Sequence, residues 1–394
     1  MKSERITMPI GEVIDFIDYR GKTPPKTTSG IPLVTAKIVK NNVIQEPTEF
    51  IDTKFYDEWM TRGIPNYGNV IFTTEAPLGE VAQIKTTDKL AFAQRIIIMQ
   101  GKSDIVDDTF LFYALQYETN KKRIEARSSG TTVFGIKSVE LKKVLIDMPD
   151  LETQHAIADT LSCLDDKIAL NNRINKTLEE MAQAIFKSWF VDFEPFGGVM
   201  PEDWNYYILN DLCLLISKGI TPKYDDKSNQ VVINQKCIRN KQLDLSLART
   251  HISNNINEKW LNYGDILINS TGEGTLGRAA QFFYDGDNYT VDSHITIVRP
   301  AQKCYIYYLG QWCLLREKEF TEMASGSTGQ TDLPRERLKT MDCLLPNIDT
   351  LEHFNHIIQP ILEKRILIQQ ESAHLAAIRD ALLPKLMSGE LLIN

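Results

Sequence analysis

The stretch from Leu351 to Leu386 reads LEHFNHIIQPILEKRILIQQESAHLAAIRDALLPKL, and its apolar residues Phe354, Ile358, Ile361, Ile368, Leu375, Ile378 and Leu382 recur at three- and four-residue intervals. That spacing places them on one face of a helix, so the segment predicts a long amphipathic helix. About 197 residues earlier the same stripe reappears as Ile157, Leu161, Leu164, Asn171, Leu178, Met181 and Ile185, with one rung changed in class, Asn171 standing where Ile368 stands. The chain is therefore an internal repeat, and each copy ends in such a helix.

Upstream of the helices the copies stay parallel. Thr23-Pro24 matches Thr221-Pro222, Tyr67-Gly68 matches Tyr263-Gly264, Leu78-Gly79 matches Leu276-Gly277, and the Ser129-Gly130-Thr131-Thr132 run matches Ser325-Gly326-Ser327-Thr328. The offset drifts slightly, as insertions in surface loops cause. Two halves, each a head of about 150 residues with a helix of about 40, fill the chain at sizes usual for independent folding units. The expected boundaries are 1–149 for the first head, 150–192 for its helix, 193–347 for the second head and 348–394 for the last helix.

Within each head, short apolar runs such as Val70-Ile71-Phe72, Ile96-Ile97-Ile98-Met99, Ile266-Leu267-Ile268 and Ile295-Thr296-Ile297-Val298 are punctuated by Gly, Pro, Asn and Asp, which predicts strands. Helical stretches are expected over Asp108 to Tyr117 and Cys304 to Lys318, making each head a small mixed domain of the α+β class. Asp349 with Glu352 fits a capping box for the last helix, whereas Asp150 with Thr153 keeps only the cap.

A 40-residue helix is about 60 Å long, and a single apolar stripe on it requires a partner in water. The nearest partner is the other copy. With a whole head between them the two helices can pair antiparallel as a coiled coil that separates the heads. Asn171-Asn172-Arg173-Ile174-Asn175 would put amides at or beside the seam, where polar groups commonly fix register at a cost in stability; a contact with another protein is the alternative.

Composition narrows the class. Apolar residues make up 43 %, ordinary for a globular chain, and no run approaches the 18 or so apolar residues of a membrane span. The N-terminus leads into no apolar signal core, and Cys163, Cys213, Cys237, Cys304, Cys313 and Cys343 lack metal-type spacing, so a reduced cytoplasmic protein with buried thiols is expected. Two nucleotide-site motifs fail in context. Gly21-Lys22-Thr23 lacks the glycine five residues earlier, where Phe16 stands, and Gly272-x-Gly274-x-x-Gly277 is followed by too short a segment for the required helix, favouring a glycine-rich hairpin.

A formal charge of −8 is awkward for binding polyanions, but local charge differs. From Arg20 to Gln45 the bases Arg20, Lys22, Lys26, Lys37 and Lys40 occur with no acid, interleaved with Thr23, Thr27, Thr28, Asn41 and Asn42. The second copy carries Lys218, Lys223, Lys227, Lys236, Arg239 and Lys241 with Asn234 and Gln235, diluted by Asp225 and Asp226. Cations mixed with amides and hydroxyls suit phosphates and base edges, Arg favouring guanine and Asn or Gln adenine. A solvated lysine-rich loop is the alternative for any one of them. Gln94-Arg95 and Ser293-His294 recur at matching strand starts. The segments Ser129 to Thr132 and Ser325 to Thr331 are matching glycine-hydroxyl loops, with Ser129, Thr131, Thr132, Ser327, Thr328 and Gln330 as candidates, that bring amides to phosphates or serve as plain turns.

The stretch Met148-Pro149-Asp150-Leu151-Glu152-Thr153-Gln154, with Leu164-Asp165-Asp166-Lys167-Ile168 and Ala184-Ile185-Phe186-Lys187-Ser188-Trp189-Phe190, resembles the central conserved helix of type I restriction-modification specificity subunits. The tail Leu382-Leu383-Pro384-Lys385-Leu386-Met387-Ser388-Gly389 is similar to that family's C-terminal helix end. The resemblance implies a non-catalytic DNA reader without cofactor or metal. Two target-recognition domains would each read half of a split, asymmetric sequence in double-stranded DNA, with two methyltransferase subunits docked on the helices and restriction subunits joined through them. The residues agree in one respect: neither Asp-Pro-Pro-Tyr nor Asn-Pro-Pro-Tyr, the quartets that hold a flipped adenine in amino-methyltransferases, is present. A coiled-coil adaptor without DNA readout is the competing expectation, and the basic, amide-rich windows of both heads argue against it.

Overall fold

The computed structural model describes residues 5–21, 23–93, 95–130, 133–253, 256–324 and 331–393. They form two compact units, one of residues 1–170 and 371–394, the other of 171–370. Each unit holds one head and one half of each long helix.

In the first unit the central sheet has four antiparallel strands in the order Ile14–Asp18, Ile96–Gly101, Val70–Thr74, Leu78–Gln83. Phe50–Ile51, Ile31–Val34 and Ala91–Phe92 form a second, smaller sheet. Ile6–Pro9 pairs with Leu145–Met148, and the latter strand leads the chain into the first long helix. The second unit repeats this plan. Its central sheet runs Cys213–Lys218, Ile295–Pro300, Ile266–Asn269, Ala279–Gln281, and Asn205–Ile208 pairs with Asp342–Leu345. Its smaller sheet contains Arg249–Ile252, Gln230–Ile233 and Tyr289–Val291, with Lys223–Tyr224 added at the edge. The strand-rich reading of the heads thus holds, with a helix at Asp108–Gln116. The single helix expected over Cys304 to Lys318 is two, Ile306–Leu314 and Glu317–Glu322.

The loop Gly272 to Gly277 carries three glycines at positive φ and runs into the strand Ala279–Gln281. It is the glycine-rich hairpin connection, since a strand returns where a dinucleotide fold needs a helix.

The long helices run Leu151–Phe190 and Ile348–Ser388. Asp150 caps the first, its Oδ1 accepting the Thr153 amide at 2.9 Å. The second is capped by Asn347, whose Oδ1 accepts the Thr350 amide at 2.8 Å, and not by Asp349, which lies inside the first turn. An amide oxygen two residues earlier satisfied the orphan donor and displaced the expected cap.

Within each unit the helix segments pack antiparallel. In the first, Lys167 Nζ lies 3.5 Å from Glu371, and Arg379 Nη1 donates to Asp165 at 2.6 Å. Asp165 also accepts the Tyr113 hydroxyl at 2.6 Å, which fastens the head to both segments, and Ile157, Leu161 and Leu386 close over its core. In the second unit Phe354 packs against Phe186 and Phe190, with ring centroids 6.0 and 4.8 Å apart. Trp204 and Tyr308 complete that aromatic core.

The seam departs from the expected stripe in one place. Met181 is 46 % exposed, and the buried line continues through Asn171, Asn175, Glu179, Ala182 and Phe186. Repeated steps of four residues advance the stripe around the helix, so the face meeting Leu362 and Arg365 is one residue later than the Leu178-Met181-Ile185 extrapolation. The centre of the seam is polar. Arg365 bonds Glu179, both nearly buried, and burial lowers the Arg365 guanidinium below its ordinary value despite the opposing charge. Among the described residues the Asn175 side-chain oxygen has no hydrogen bond.

Candidate nucleic-acid interface

One end of each central sheet gathers polar side chains on a common backbone frame. In the first head the Thr74 amide donates to the Arg95 carbonyl at 2.9 Å, the Ile136 amide to the Thr74 carbonyl at 3.0 Å, and Tyr19 to Ile96 at 3.2 Å. In the second the Ser270 amide donates to His294 at 2.8 Å, Leu333 to Ser270 at 2.8 Å, and Gly219 to Ile295 at 3.0 Å. Glu75 bridges Gly135 as Thr271 bridges Asp332. These bonds superpose Asp18 on Lys218, Glu75 on Thr271, Arg95 on His294 and Gly135 on Asp332.

The side chains at those positions differ. In the first head Arg95, in the left-handed region at φ +71°, holds Nε 2.9 Å from Glu75 Oε1, and Arg20 is bonded through Nε to Asp18 at 2.8 Å. Burial raises the Asp18 carboxyl, but bonds and charge from Arg20 and Arg62 outweigh it and hold it below the usual range. Arg20, Glu75, Arg95, Ser129 and Lys137 line one cleft. In the second head Lys218 Nζ pairs with Asp332 at 2.7 Å, and the Thr271 hydroxyl lies 2.8 Å from His294 Nδ1. Gln235 backs this pair, its Nε2 donating to the Thr271 hydroxyl at 3.0 Å.

The basic windows fall on a second shared feature, a two-residue hairpin beside each sheet. Val39–Lys40 pairs with Val43–Ile44 around Asn41 and Asn42, and Ile238–Arg239 pairs with Gln242–Leu243 around Asn240 and Lys241. All four tip residues have positive φ, the backbone of a tight I′ turn, which Asn tolerates best after Gly. Lys37 and Lys236 precede the hairpins on matching 3-10 turns, and Lys37, Lys40, Asn41, Lys236 and Arg239 are exposed. Thr23 and Lys223 are exposed as well.

Other sequence-predicted residues are engaged internally. Lys26 pairs with Glu49 at 2.8 Å. Asn234 accepts the Lys236 amide and donates to the Leu247 carbonyl, so it caps its own turn. The backbone of Ser129 exchanges two hydrogen bonds with Gly135, closing the loop between them. Lys22, Gln94, Thr131, Thr132, Ser327, Thr328 and Gln330 lie outside the described residues. Sequence reasoning missed Glu75, Thr271, Asp332 and Lys137. The search for bases, amides and hydroxyls in runs passes over isolated acids, and only the strand pairing brings these residues to the sheet end.

Among the described residues, no cluster of His, Cys, Asp and Glu is placed to hold a metal ion, and no helix is long and apolar enough to cross a membrane. Of the cysteines, Cys237, Cys313 and Cys343 are buried, but Cys163 is exposed on the first long helix, against the expectation of uniformly buried thiols.

Two heads of one design, each built on a sheet end with its own side chains and joined to paired long helices, define a repeated two-headed protein of the recognition class. The sequence matches the type I restriction modification DNA specificity domain over residues 3–180 and again over 201–376, and the chain belongs to that family. It is 28 % identical to the type I restriction enzyme MjaIX specificity subunit of Methanocaldococcus jannaschii, over 98 % of this chain and 94 % of the relative. It is 25 % identical to the HindI specificity subunit of Haemophilus influenzae, over 77 % and 82 % of the respective chains. The fold resembles the S subunit of a type I restriction-modification system from M. genitalium, with a TM-score of 0.62, 16 % identity, and 98 % and 96 % coverage. The chain is a non-catalytic subunit for DNA target recognition, and the resemblance read from its helices is confirmed.

Proposed function

We propose that this chain reads an asymmetric, bipartite target in double-stranded DNA, one half-site per head, and carries two modification subunits on its helices, with restriction subunits joined through them in the cytoplasm. The observation that supports this is the pair of sheet ends with one backbone and different side chains. Equivalent geometry lets both heads approach DNA in the same way, while unlike side chains make the two half-sites differ. Division of the chain at residues 1–149, 150–192, 193–347 and 348–394 assigns one recognition domain and one helix to each repeat.

In this reading Lys37, Lys40, Lys223, Lys236 and Arg239 contact phosphates, a role also assigned to Lys22, Thr23, Lys26, Ser129, Thr131, Thr132, Ser327, Thr328 and Gln330. Base-edge contacts are assigned to Arg20, Asn41, Gln94, Arg95, Lys218, Gln235 and His294, with Asn234 holding the turn that carries Lys236. Methylome sequencing of cells expressing this chain with its modification partner tests the proposal. One motif of two unlike specified halves around an unspecified gap is expected. A continuous motif, or a palindrome with identical halves, refutes it.

A further inference from the structure

The four superposed positions at the sheet ends differ in chemical class in every case: Asp18 against Lys218, Glu75 against Thr271, Arg95 against His294, and Gly135 against Asp332. The strand behind them is largely apolar in both heads: Ile96, Ile98 and Met99 correspond to Ile295, Ile297 and Val298, all buried, and only Ile97 changes class, to the buried Thr296. A fold that keeps its core and backbone bonds while changing the polar groups at one edge has varied the groups that meet a ligand. Within this set the positions 75/95 and 271/294 are coupled in both heads, Glu75 to Arg95 at 2.9 Å and Thr271 to His294 at 2.8 Å, whereas Lys218 and Asp332, 2.7 Å apart, pair in the second head alone because Gly135 has no side chain.

We propose that the pair at positions 75 and 95, with its counterpart at 271 and 294, determines which base pair each head accepts at one place in its half-site, and that the first head reads a guanine–cytosine pair there. The assignment rests on the DNA-reading function above and names residues within it. The chemistry follows from the donors. Nε of Arg95 lies 2.9 Å from Glu75 Oε1, an ion pair that anchors the guanidinium at the sheet end and leaves its two Nη amines outside that contact; a guanidinium fork matches the O6 and N7 acceptors of guanine. A carboxylate among Arg20, Arg95 and Lys137 weakens phosphate attraction, so a general phosphate clamp is poorly served by it, whereas it suits the amino group of the paired cytosine. In the second head an imidazole, His294, and a hydroxyl, Thr271, are backed by the Gln235 amide, and neither can present that fork. The two heads therefore specify different base pairs at the equivalent place.

The experiment uses the whole complex of this chain with its modification partner, on duplexes carrying the motif that methylome sequencing of the wild type defines. Absence of any motif in the wild type counts against the DNA-reading function itself, and the following arms count for or against the pair alone. For Arg95→Ala, the ratio of specific to non-specific affinity should fall roughly 5- to 150-fold, with non-specific binding almost unchanged. Lys37→Ala should lower both affinities together. The exchange Glu75→Thr with Arg95→His should alter a guanine–cytosine position in the first half-site and leave the second half-site as it was. If Arg95→Ala lowers both affinities equally, or keeps the ratio within about twofold, the pair does not read a base. The ratio needs no methylation, so a poorly active exchange variant does not shield the proposal.

Discussion

Asp292 shows how much a single buried group governs at the recognition edge. The residue is 6 % exposed, its Oδ1 accepts the His294 amide at 2.9 Å, and it thereby orients the residue just before the strand Ile295–Pro300. Burial raises its carboxyl above the usual range, against the His294 hydrogen bond, which lowers it. The folded state then holds this proton more tightly than the unfolded chain. The ionised form costs stability at neutral pH, and that cost disappears as pH falls through the raised folded value toward the ordinary one. Asp292→Asn removes the charge and keeps an oxygen for the His294 amide. Urea midpoints of wild type and variant, taken between pH 7 and pH 4, should differ increasingly in favour of wild type as pH falls. A difference independent of pH would show that Asp292 is not held above its ordinary range. The acid was invisible as a functional neighbour in sequence, where it stands among polar residues of a turn; the Ile220–Asp292 bridge and the fold bring it beneath the edge.

At the scale of elements, the long helices were the most legible feature and their detail the least. Periodicity sets a helix by local spacing, so its existence and length follow from the sequence, as Leu151–Phe190 and Ile348–Ser388 show. Which residue of a four-step lies in the seam depends on the partner, and the polar layer at Asn175, Glu179 and Arg365 let the apolar line shift by one. The cap at Asn347 was missed for a related reason: several side chains near a helix start can reach an amide, and the backbone path picks one. Short strand runs in the heads were readable, whereas the pairing that brings Glu75 to Arg95 depends on contacts between distant segments. The register has a direct test. Phe186→Ala should destabilise the chain by about 3–5 kcal/mol, because a buried ring between Phe190, Tyr308 and Phe354 leaves a cavity. Met181→Ala, on the exposed face, should change stability by less than about 0.5 kcal/mol. Comparable losses at both positions in denaturant melts would restore the extrapolated stripe.

For the whole molecule, two predictions follow from the proposed division of labour. Exchanging residues 1–149 for the corresponding domain of another family member should replace one half of the methylated motif and keep the other, and a simultaneous change in both halves would refute independent reading. The second concerns the gap. In the proposed division of labour the two long helices, Leu151–Phe190 and Ile348–Ser388, are the ruler that sets half-site separation. Half-sites read from one face of B-DNA recur about every 34–36 Å, which puts the unspecified gap on the order of five to eight base pairs. Seven residues inserted after Asn175, with seven more after Ile368 on the facing segment, preserve the heptad phase and lengthen both helices by roughly 10 Å. The insertion point lies beside the Glu179–Arg365 pair, which stays intact on its original side and holds the register of the segments that follow. With base pairs spaced about 3.4 Å apart, the preferred gap should grow by about three base pairs while both half-sites keep their sequence. Methylome sequencing of the lengthened variant reads both quantities at once. A gap that stays fixed beside unchanged half-sites means that the helices do not set the spacing, and the ruler is then to be sought in how the modification subunits clasp the DNA.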